Sequence, residues 1–366
     1  FYTSLQYHIY NLFEERMTKI LVTGGAGFIG SHTCVALLEN GYEIIVLDSF
    51  ANSQAKSLTR VIDMFNPKTE DKNIPIQIIR GDIRDDKILD KLFSESLQIN
   101  NPITAVIHFA GLKSVEQSVF NPLLYWDVNV NGSIRLLKAM TKYNCSTIVF
   151  SSSATIYGLS NQKILVEDTE IKPINPYGHT KAVIEQLLEN IYESSPDNWR
   201  IANLRYFNPI GAHSSGLIGE NPVGKPNNIF PYITQVASGK LDKVNIFGND
   251  WPTIDGTGVR DYIHIMDLAE GHIAALENLL CDKSKIININ LGTGLGTSVF
   301  ELINIFERVN SVKIPYHIVS RRKGDLASII ADNSLALTYL DWSPKRDIEQ
   351  MCIDGWKWQL LNPKGF

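Results

Sequence analysis

The glycine-rich segment TGGAGFIG constrains the fold more than any other part of the chain. It follows an apolar run, KILVTG, that predicts a buried strand, and it precedes a helical pattern over residues 28–40. The glycines that fit GxGxxG and GxxGxxG are Gly24, Gly25, Gly27 and Gly30. Glycine permits a tight turn there and lets a diphosphate approach the amino end of the helix. The segment therefore predicts the first strand, turn and helix of a dinucleotide-binding fold.

Short apolar runs alternate with helical stretches along the first half of the chain. The runs YEIIVLD, IQIIRGD, TAVIHFAG, STIVFSSSA and RIANLRYFNP each predict a strand, and residues 125–143 and 177–194 predict helices. Strands separated by helices are typical of βαβ units, whose strands lie parallel in one sheet. We therefore predict an α/β protein with a Rossmann-type, doubly wound parallel sheet.

The length of 366 residues predicts about two domains at roughly 150 residues each. We expect residues 17–209 to form the dinucleotide-binding domain. Residues 210–285 and 293–366 should mainly form a smaller, discontinuous α/β substrate-binding domain. The run IININLGTG predicts a strand near 286–292 that returns to the main sheet. Residues 1–16 match no strand that follows, so we expect an extension outside the fold, with a short docked helix as the alternative.

The composition excludes several classes of protein. With 34 Lys and Arg against 39 Asp and Glu, the net charge is −5, which argues against a nucleic-acid-binding face. No apolar run reaches the roughly 18 residues that a membrane span needs. The 4 cysteines form no CxxC pair and the 8 histidines no HExxH motif, so we expect reduced thiols and no metal site. We expect a cytoplasmic protein without nucleic-acid or membrane partners.

Two acidic residues at predicted strand ends favour a particular cofactor. Asp48 ends the second strand, 18 positions after Gly30. A carboxylate there accepts hydrogen bonds from an adenosine ribose and repels a 2′-phosphate, which favours NAD over NADP. A solvated strand-end aspartate is the alternative for Asp48. Asp82 ends the third strand and is expected to reach the adenine edge, with Ile83 beside it.

The stretch NPYGHTK places Tyr177 four positions before Lys181, on one face of a predicted helix. The fifth strand ends in SSSATIYG, and the carboxyl ends of such strands open onto the ligand crevice. Tyrosine titrates near ~10, but a lysine ammonium and a positive nicotinamide ring should both lower the Tyr177 pKa. A serine of this strand end and Tyr177 would then form an acid/base pair acting on one substrate oxygen.

Seven segments together resemble one known family. They are TGGAGFIGSH, HFAGLKSV, FSSSATIYG, NPYGHTK, LRYFNPIGAH, GTGVRDYIHIMDLA and RRKGD, and in this order they are similar to UDP-glucose/UDP-galactose 4-epimerases of the extended short-chain dehydrogenase/reductase superfamily. The resemblance covers residues 18–364. It implies a homodimer and a reversible inversion at carbon 4 of the hexose through a 4-keto sugar and tightly bound NAD, with the N-acetylated UDP-hexosamines as additional candidate substrates.

The resemblance also implies roles for individual residues. The catalytic residues would be Ser153, Tyr177 and Lys181. The cofactor contacts would be Gly24, Gly27, Phe28, Ile29, Gly30, Asp48, Asn52, Ser53, Asp82, Ile83, Phe109, Ala110, Gly111, Lys113, Asn129, Tyr177, Lys181 and Phe207. The substrate contacts would be Lys113, Ser153, Tyr177, Asn208, Asn228, Ile229, Asn245, Phe247, Arg260, Arg322, Asp325 and Ile329. A solvated basic turn is the alternative for RRKGD, and a core position is the alternative for Phe247.

The sequence argues against three rival functions. A nucleotide-sugar 4,6-dehydratase needs extra carboxylates near the serine strand end, where this chain has Ala154 and Thr155. A decarboxylase would need a uronic-acid pocket, for which no residue pattern speaks. A non-enzymatic NAD sensor or scaffold would have no reason to keep Ser153, Tyr177 and Lys181 together.

Ile329 falls where family members differ in side-chain size, and we expect its bulk to limit room for an N-acetyl group.

Overall fold

The structure, a computed structural model, describes most of the chain. The described residues are 17–65, 74–160, 162–222, 224, 226, 228–281, 283–322 and 324–366. The expected extension at residues 1–16 lies outside them and stays a prediction.

The elements are numbered here in chain order. The strands are β1 (Lys19–Thr23), β2 (Glu43–Asp48), β3 (Ile76–Arg80), β4 (Ile103–His108), β5 (Thr147–Ser153), β6 (Ile164–Leu165), β7 (Arg200–Tyr206), β8 (Asn208–Ile210), β9 (Val244–Phe247), β10 (Val259–His264), β11 (Lys285–Leu291), β12 (Gly296–Ser298), β13 (Tyr316–Val319) and β14 (Ser328–Ala331). The helices are α1 (Phe28–Glu39), α2 (Ala55–Phe65), α3 (Asp86–Gln98), α4 (Val115–Phe120), α5 (Pro122–Tyr125), α6 (Gly132–Lys142), α7 (Pro176–Ser194), α8 (Ile229–Ala237), α9 (Ile265–Cys281), α10 (Val299–Asn310), α11 (Ser334–Leu340) and α12 (Ile348–Leu361). A π-helical turn at Trp126–Asn131 joins α5 to α6, and a 3-10 turn at Ala154–Tyr157 follows β5.

Seven parallel strands form the main sheet, in the order β11-β7-β5-β4-β1-β2-β3. The predicted doubly wound fold is therefore confirmed. The predicted returning strand is β11, which pairs with β7 over its whole length. The strand order reverses between β1 and β4, and in such sheets ligands bind in the crevice outside the carboxyl ends at that point.

Alternate residues of β1 anchor the two faces of this sheet, because successive side chains of a strand point to opposite sides. Ile20 and Val22 pack in one cluster with residues of α1 and α9. Leu21 packs in the other with Leu136 of α6 and Ile184 of α7. Burying each such side chain contributes about 1.5–3 kcal/mol. Helices therefore cover both faces and leave the carboxyl edge for ligands.

A second, five-stranded sheet follows the order β12-β10-β14-β6, and β8 pairs with β10. It is mixed, because β12 runs antiparallel to β10, whereas β8 and β14 run parallel to it. Strands β9 and β13 form a separate parallel pair. Strand β6 comes from the part of the chain expected to belong wholly to the first domain, yet it pairs with β14. The chain therefore enters the second region earlier than the predicted boundary at residue 209.

Asp261 of β10 joins the two sheets. Its fully buried carboxylate accepts hydrogen bonds from the backbone N–H groups of Thr293 (2.8 Å), Gly294 (2.9 Å) and Ala331 (3.1 Å), and from the Thr293 hydroxyl (2.6 Å). Thr293 and Gly294 follow β11 of the main sheet, whereas Ala331 ends β14. Burial raises the pKa of this carboxyl, and the four donors counteract that effect.

Within the described part of the chain, no helix is both long and apolar enough to cross a bilayer. Among the same residues, no group of three or more His, Cys, Asp or Glu side chains is arranged to hold a metal ion.

We predict that Asp261→Ala lowers the free energy of unfolding by about 3 kcal/mol or more, because each buried donor left unsatisfied costs ~1–3 kcal/mol. Urea unfolding followed by circular dichroism measures the change. The matched control is Asp242→Ala, at an exposed turn position, which should stay within about 0.5 kcal/mol of the parent protein. Equal stabilities of the two variants would contradict the role given to Asp261.

Candidate active site

The glycine turn between β1 and α1 has the shape that a bound diphosphate requires. Gly24 has a φ of +73°, and a Cβ there would lie 2.7 Å from the Ala110 nitrogen. A Cβ on Gly30 would lie 2.5 Å from the Gly24 oxygen. Gly27 caps α1 without a side-chain hydrogen bond, so the first N–H groups of the helix, at Phe28 and Ile29, have no capping side chain. Such an end is a ready anion site.

Asp48 organises the loops that border this turn. Its carboxylate accepts hydrogen bonds from the Ala26 N–H (2.9 Å), the Phe50 N–H (2.8 Å) and the Ser53 hydroxyl (2.9 Å). The side chain is buried, so the alternative of a solvated strand-end aspartate is wrong. A carboxylate has about four acceptor positions, which leaves one for a ribose hydroxyl. Asn52 is exposed between Phe50 and Ser53.

Asp82 and Ile83 lie where the sequence places them, at the carboxyl end of β3, but they make other contacts. Asp82 accepts hydrogen bonds from the Arg84 guanidinium, which lowers the Asp82 pKa. Arg84 also pairs with Asp127 of the π-helical turn. Ile83 is buried, and a Cβ on Gly132 would lie 2.7 Å from its side chain. The expected adenine contacts of Asp82 and Ile83 stay predictions.

Asn129 of the π-helical turn fixes the loop after β4. Its amide oxygen accepts the Leu112 N–H (2.7 Å), and its amide nitrogen donates to the Leu112 oxygen (3.1 Å) and the Thr180 hydroxyl (3.1 Å). A Cβ on Gly111 would lie 3.1 Å from the Asn129 oxygen. The wider π turn thus brings Asn129 between this loop and α7, where it contacts Thr180, the residue before Lys181.

A buried hydrogen-bonded chain supports the same loop. The Ser133 hydroxyl donates its one hydrogen to the Asn129 backbone oxygen (2.5 Å). It must therefore accept the hydrogen bond that joins it to His108 Nε2 (2.9 Å). His108 Nδ1 then accepts from the Thr23 hydroxyl (2.7 Å), which in turn accepts the Ala110 N–H (3.4 Å). Burial lowers the pKa of His108 to about 3, so the ring is neutral and its tautomer is set.

Phe109 and Lys113 occupy the two ends of this loop. The Phe109 ring lies 4.9 Å from the His272 ring. Lys113 is exposed, and its ammonium lies 3.4 Å from Glu220, a residue of the second region that sequence reasoning did not select. The ion pair links the loop after β4 to the segment that follows β8.

Ser153, Tyr177 and Lys181 lie together at the carboxyl edge of the main sheet. Asn175 caps α7 by accepting the Gly178 N–H (2.8 Å), which puts Tyr177 in the first turn. The Ser153 hydroxyl ends β5 and accepts hydrogen bonds from the backbone and side chain of Thr155, so its own hydrogen is available. Ser153 also lies close enough to the Tyr177 phenol to favour its ionised form.

Lys181 is buried against β5. Its ammonium donates to the Ser151 oxygen (2.5 Å) and lies 4.8 Å from the centre of the Phe150 ring. It lies 6.0 Å from the centre of the Tyr177 ring. Burial lowers the pKa of Lys181 to about 7, and the negative charge of Glu185 opposes that change.

The expectation that Lys181 lowers the Tyr177 pKa is wrong for the protein's own groups. Burial raises the pKa of Tyr177 to about 12, and the nearby Ser153 hydroxyl offsets only part of that rise. The ammonium is directed to the Ser151 carbonyl rather than to the phenol, which explains its small effect.

Arg260, Arg322, Asp325 and Phe247 form a second cluster. Asp325 lies 3.1 Å from Arg322 and 3.9 Å from Arg260, whose guanidinium also donates to the Leu326 oxygen (2.9 Å). The Arg322 guanidinium lies 4.5 Å from the centre of the Phe247 ring. Phe247 is 37% exposed, so the alternative of a core position for it is wrong. Within RRKGD, Arg322 pairs with Asp325 and stays 54% exposed, so the alternative of a solvated basic turn stays open.

The remaining predicted substrate contacts surround this cluster. Asn245 shares the exposed face of β9 with Phe247. Asn228 begins α8 without using its side chain as a cap, and Ile229 follows it. Asn208 of β8 pairs with Tyr262, and Ile329 of β14 pairs with Arg260. Phe207 is buried in a small cluster against which Ile329 packs.

Comparison with known proteins identifies the family. The sequence model of the GDP-mannose 4,6 dehydratase family matches residues 21–354. The UDP-glucose 4-epimerase of Bacillus subtilis (strain 168) is 49% identical over 347 residues, which cover 95% of this chain and 98% of the relative. The chain belongs to the UDP-glucose 4-epimerase family.

Solved structures of epimerases in this family have the same fold. The enzyme from Stenotrophomonas maltophila, described with bound NAD and formylated UDP-arabinopyranose, superposes with a TM-score of 0.89 at 46% identity and covers 95% of this chain and 99% of its own. The Bifidobacterium longum enzyme, described in complex with NAD+ and UDP, has a TM-score of 0.87 at 44% identity, with 95% and 100% covered.

Sequence reasoning missed several buried polar residues beneath this epimerase-family site. His108, Glu185 and Arg205 are each at most 5% exposed. Arg205 lies inside the segment LRYFNPIGAH, and Glu185 follows Lys181 by one helical turn. Helical spacing could have indicated Glu185, whereas the partner of His108 depends on the sheet register.

Proposed function

We propose that this chain interconverts UDP-galactose and UDP-glucose by inversion at carbon 4 of the hexose, with NAD as a resident cofactor. The observation that carries the proposal is the convergence of Ser153, Tyr177 and Lys181 at the carboxyl edge of the sheet that carries the dinucleotide turn, in a chain whose second region holds an arginine cluster. The named activities of its relatives in the 4-epimerase family support the same reaction.

The residues present fit NAD. The open amino end of α1 after Gly27 would bind the diphosphate, and Asp48 has an acceptor position left for the adenosine ribose. Lys181 would bind the nicotinamide ribose. When bound, NAD supplies a positively charged ring that accepts hydride from carbon 4 and returns it to the opposite face of the sugar.

Tyr177 would exchange the proton of the sugar 4-hydroxyl. With a pKa of about 12, ionising this phenol at pH 7 requires about 7 kcal/mol unless positive charge stabilises it. Its place in the first turn of α7 contributes ~0.3–1 kcal/mol through the helix dipole. Ser153 would donate its free hydrogen to the reacting oxygen and hold that oxygen against Tyr177.

The arginine cluster would hold the diphosphate and the uridine. Arg260 and Arg322 present guanidinium groups suited to phosphate oxygens, and Asp325 orients both. Phe247, under Arg322, offers its exposed ring to the uracil, with Asn245 on the same face of β9. Asn228 and Ile229 would line the other side, and Phe207, Asn208 and Lys113 the sugar end.

We predict that Tyr177→Phe lowers kcat about 10²–10⁴-fold, because the proton of the 4-hydroxyl loses its acceptor. NAD content should be unchanged. Chromatographic detection of UDP-glucose formed from UDP-galactose measures the rate, and the absorbance of cofactor released on denaturation measures occupancy. Tyr192→Phe, on the same helix but four turns away, is the matched control and should retain full activity. Full activity of the Tyr177 variant would refute the acid/base role.

Dehydration is the nearest alternative reaction, and the matching sequence model takes its name from a dehydratase. The positions after Ser153 are Ala154 and Thr155, and Thr155 is engaged with the Ser153 hydroxyl (3.0 Å). Neither side chain can move a proton at carbon 5, so epimerisation is favoured. A scaffold that only binds NAD would leave the arginine cluster without a purpose.

We also propose that Ile329 limits the size of the group on carbon 2 of the sugar. Ile329 is half-buried and packs against the cluster that contains Phe207, at the expected sugar end. The resemblance implies that family members differ in side-chain size at this position, so the same site would set the choice between hexoses and N-acetylhexosamines.

We predict that Ile329→Ala raises kcat/KM for UDP-N-acetylgalactosamine about 10-fold or more relative to UDP-galactose. Parallel assays with both sugars measure the ratio. Ile330→Ala is the matched control, because neighbouring strand residues face opposite sides. Equal efficiencies for the two sugars in the parent protein would remove Ile329 as a gate.

We propose a homodimer built on the apolar patch formed by Val119, Phe120, Leu123, Leu124 and Val183. Phe120 and Leu123 are 75% and 83% exposed. Helices α4, α5 and α7, which carry the patch, pack against one another. A contiguous apolar surface on helices suits a symmetric partner surface. The family resemblance implies an interface through the helices at about 125–143 and 177–194, and the patch extends further toward the amino end than these.

We predict that Leu123→Glu halves the mass measured by light scattering after size-exclusion chromatography, because two carboxylates would face an apolar partner. Leu337→Glu, at an exposed leucine of α11, is the control and should leave the mass unchanged. A parent protein that runs as a monomer at micromolar concentration would refute the dimer.

We also propose a cytoplasmic location. It is supported by four unpaired cysteines, of which three are buried, and cell fractionation tests it.

A further inference from the structure

Glu185 lies on the same face of α7 as the two catalytic candidates, one turn after Lys181 and two turns after Tyr177. It forms a buried ion pair with Arg205 of β7, with 2.7 Å between Arg205 Nη2 and Glu185 Oε2. The two side chains are only 6% and 2% exposed. A buried ion pair contributes little net stability, because desolvation opposes the attraction between the charges. Stability alone therefore does not account for it.

The pair sits in a network that spans β5, the 3-10 turn after it, α7, β7 and β11. The Ser152 hydroxyl donates to Glu185, and Arg205 Nε donates to it at 3.1 Å. Arg205 Nη1 donates to the Tyr157 hydroxyl (3.1 Å) and to the backbone oxygen of Glu167 (2.8 Å). The network continues through a hydrogen bond from Tyr157 to Asn290 of β11 (2.6 Å). Every charge in it has polar partners, so its geometry is well defined.

Three consecutive serines of β5 each meet a different residue of this face of α7. Ser151 accepts the Lys181 ammonium through its backbone oxygen. Ser152 donates to Glu185, and Ser153 lies against Tyr177. The helix is therefore held to the strand at three successive turns. Of the three helix residues, Glu185 is the one that no reacting group of substrate or cofactor would touch.

The charges around Lys181 single out Glu185. The groups that face the ammonium are Tyr177 and Glu185 of α7, the neutral His108 of β4, Tyr206 of β7 near Ser151, and Arg205 behind Glu185. The adjoining π turn contributes the uncharged Asn129. Among these described groups Glu185 carries the negative charge, and it opposes the loss of the Lys181 proton that burial favours.

We propose that Glu185 is a positioning residue, whose carboxylate keeps Lys181 protonated and holds Lys181 and Tyr177 in register with the serines of β5. The inference rests on the proposed epimerase reaction for its effect on turnover. Its effect on Lys181 itself does not depend on that reaction. Arg205 acts in turn by holding the carboxylate in place.

The first test measures Lys181 directly, in protein labelled with ¹³C at the lysine Cε. The Lys181 signal is the one lost in Lys181→Arg. Removing the charge in Glu185→Gln should move its titration midpoint to lower pH by about one pH unit, because the carboxylate one helical turn away opposes the loss of the Lys181 proton. Glu189→Gln, one turn further along α7 and exposed, is the matched control and should not move it.

The second test follows turnover against pH. Since Lys181 would lose its proton at lower pH, the alkaline limb of the kcat profile should move to lower pH in Glu185→Gln. KM for UDP-galactose should change less than about twofold, and Glu185→Asp should recover most of the parent profile. A purely structural role would lower kcat equally at every pH and leave the limb in place.

A second variant covers the case in which Glu185→Gln does not fold, since it leaves Arg205 unpaired in the interior. The double variant Glu185→Gln/Arg205→Met removes both charges, and its Lys181 midpoint should lie between those of the parent and of Glu185→Gln. An unchanged Lys181 midpoint in whichever variant folds would overturn the inference. If the Lys181 midpoint differs between the parent and Glu185→Gln but the parent has no epimerase activity, the proposed function is overturned and the positioning role still holds.

Discussion

The arrangement of this site depends on a lysine ammonium buried beside a strand carbonyl. Burial disfavours the charged form of both groups. It lowers the pKa of Lys181 to about 7 and raises the pKa of Tyr177 to about 12. Neither group is poised for chemistry by the other alone. The site depends on its surroundings: the Ser151 oxygen, the Glu185 carboxylate and the amino end of α7. The fold's contribution is to hold these groups where water cannot replace them.

Most of the main sheet follows from local patterns in the sequence. The glycine turn, the apolar strands and the returning strand near 286–292 each have a periodicity or spacing that indicates one structure. The π-helical turn at Trp126–Asn131 has no such signal, because its extra backbone width is stabilised by Asn129 contacts distant in sequence. Strand β6 was missed because a two-residue strand is defined by its partner rather than by its own pattern. Strand β6, which precedes the predicted domain division at residue 209, therefore lies with the second region.

The site was predicted well where a motif carries its own chemistry and poorly where charges interact across elements. Ser153, Tyr177 and Lys181 converge as expected, and Asp48 proves to be built into the turn. In the protein alone, burial raises the Tyr177 pKa, an effect that cannot be read from the spacing of two residues. Arg205 lies in the segment LRYFNPIGAH and Glu185 lies one turn after NPYGHTK. Their pairing nevertheless depends on how α7 packs against β7.

Asp261 and Arg260 are neighbours on β10, so they point to opposite sides of that strand. One anchors the end of the main sheet, and the other faces the cluster expected to hold a diphosphate. Any rotation of one sheet against the other would have to break a four-donor carboxylate before the arginine could move. Under the proposed function, this anchor would fix the arginine cluster relative to the catalytic edge, so a sugar that presents both faces would turn about its own linkage to the phosphate.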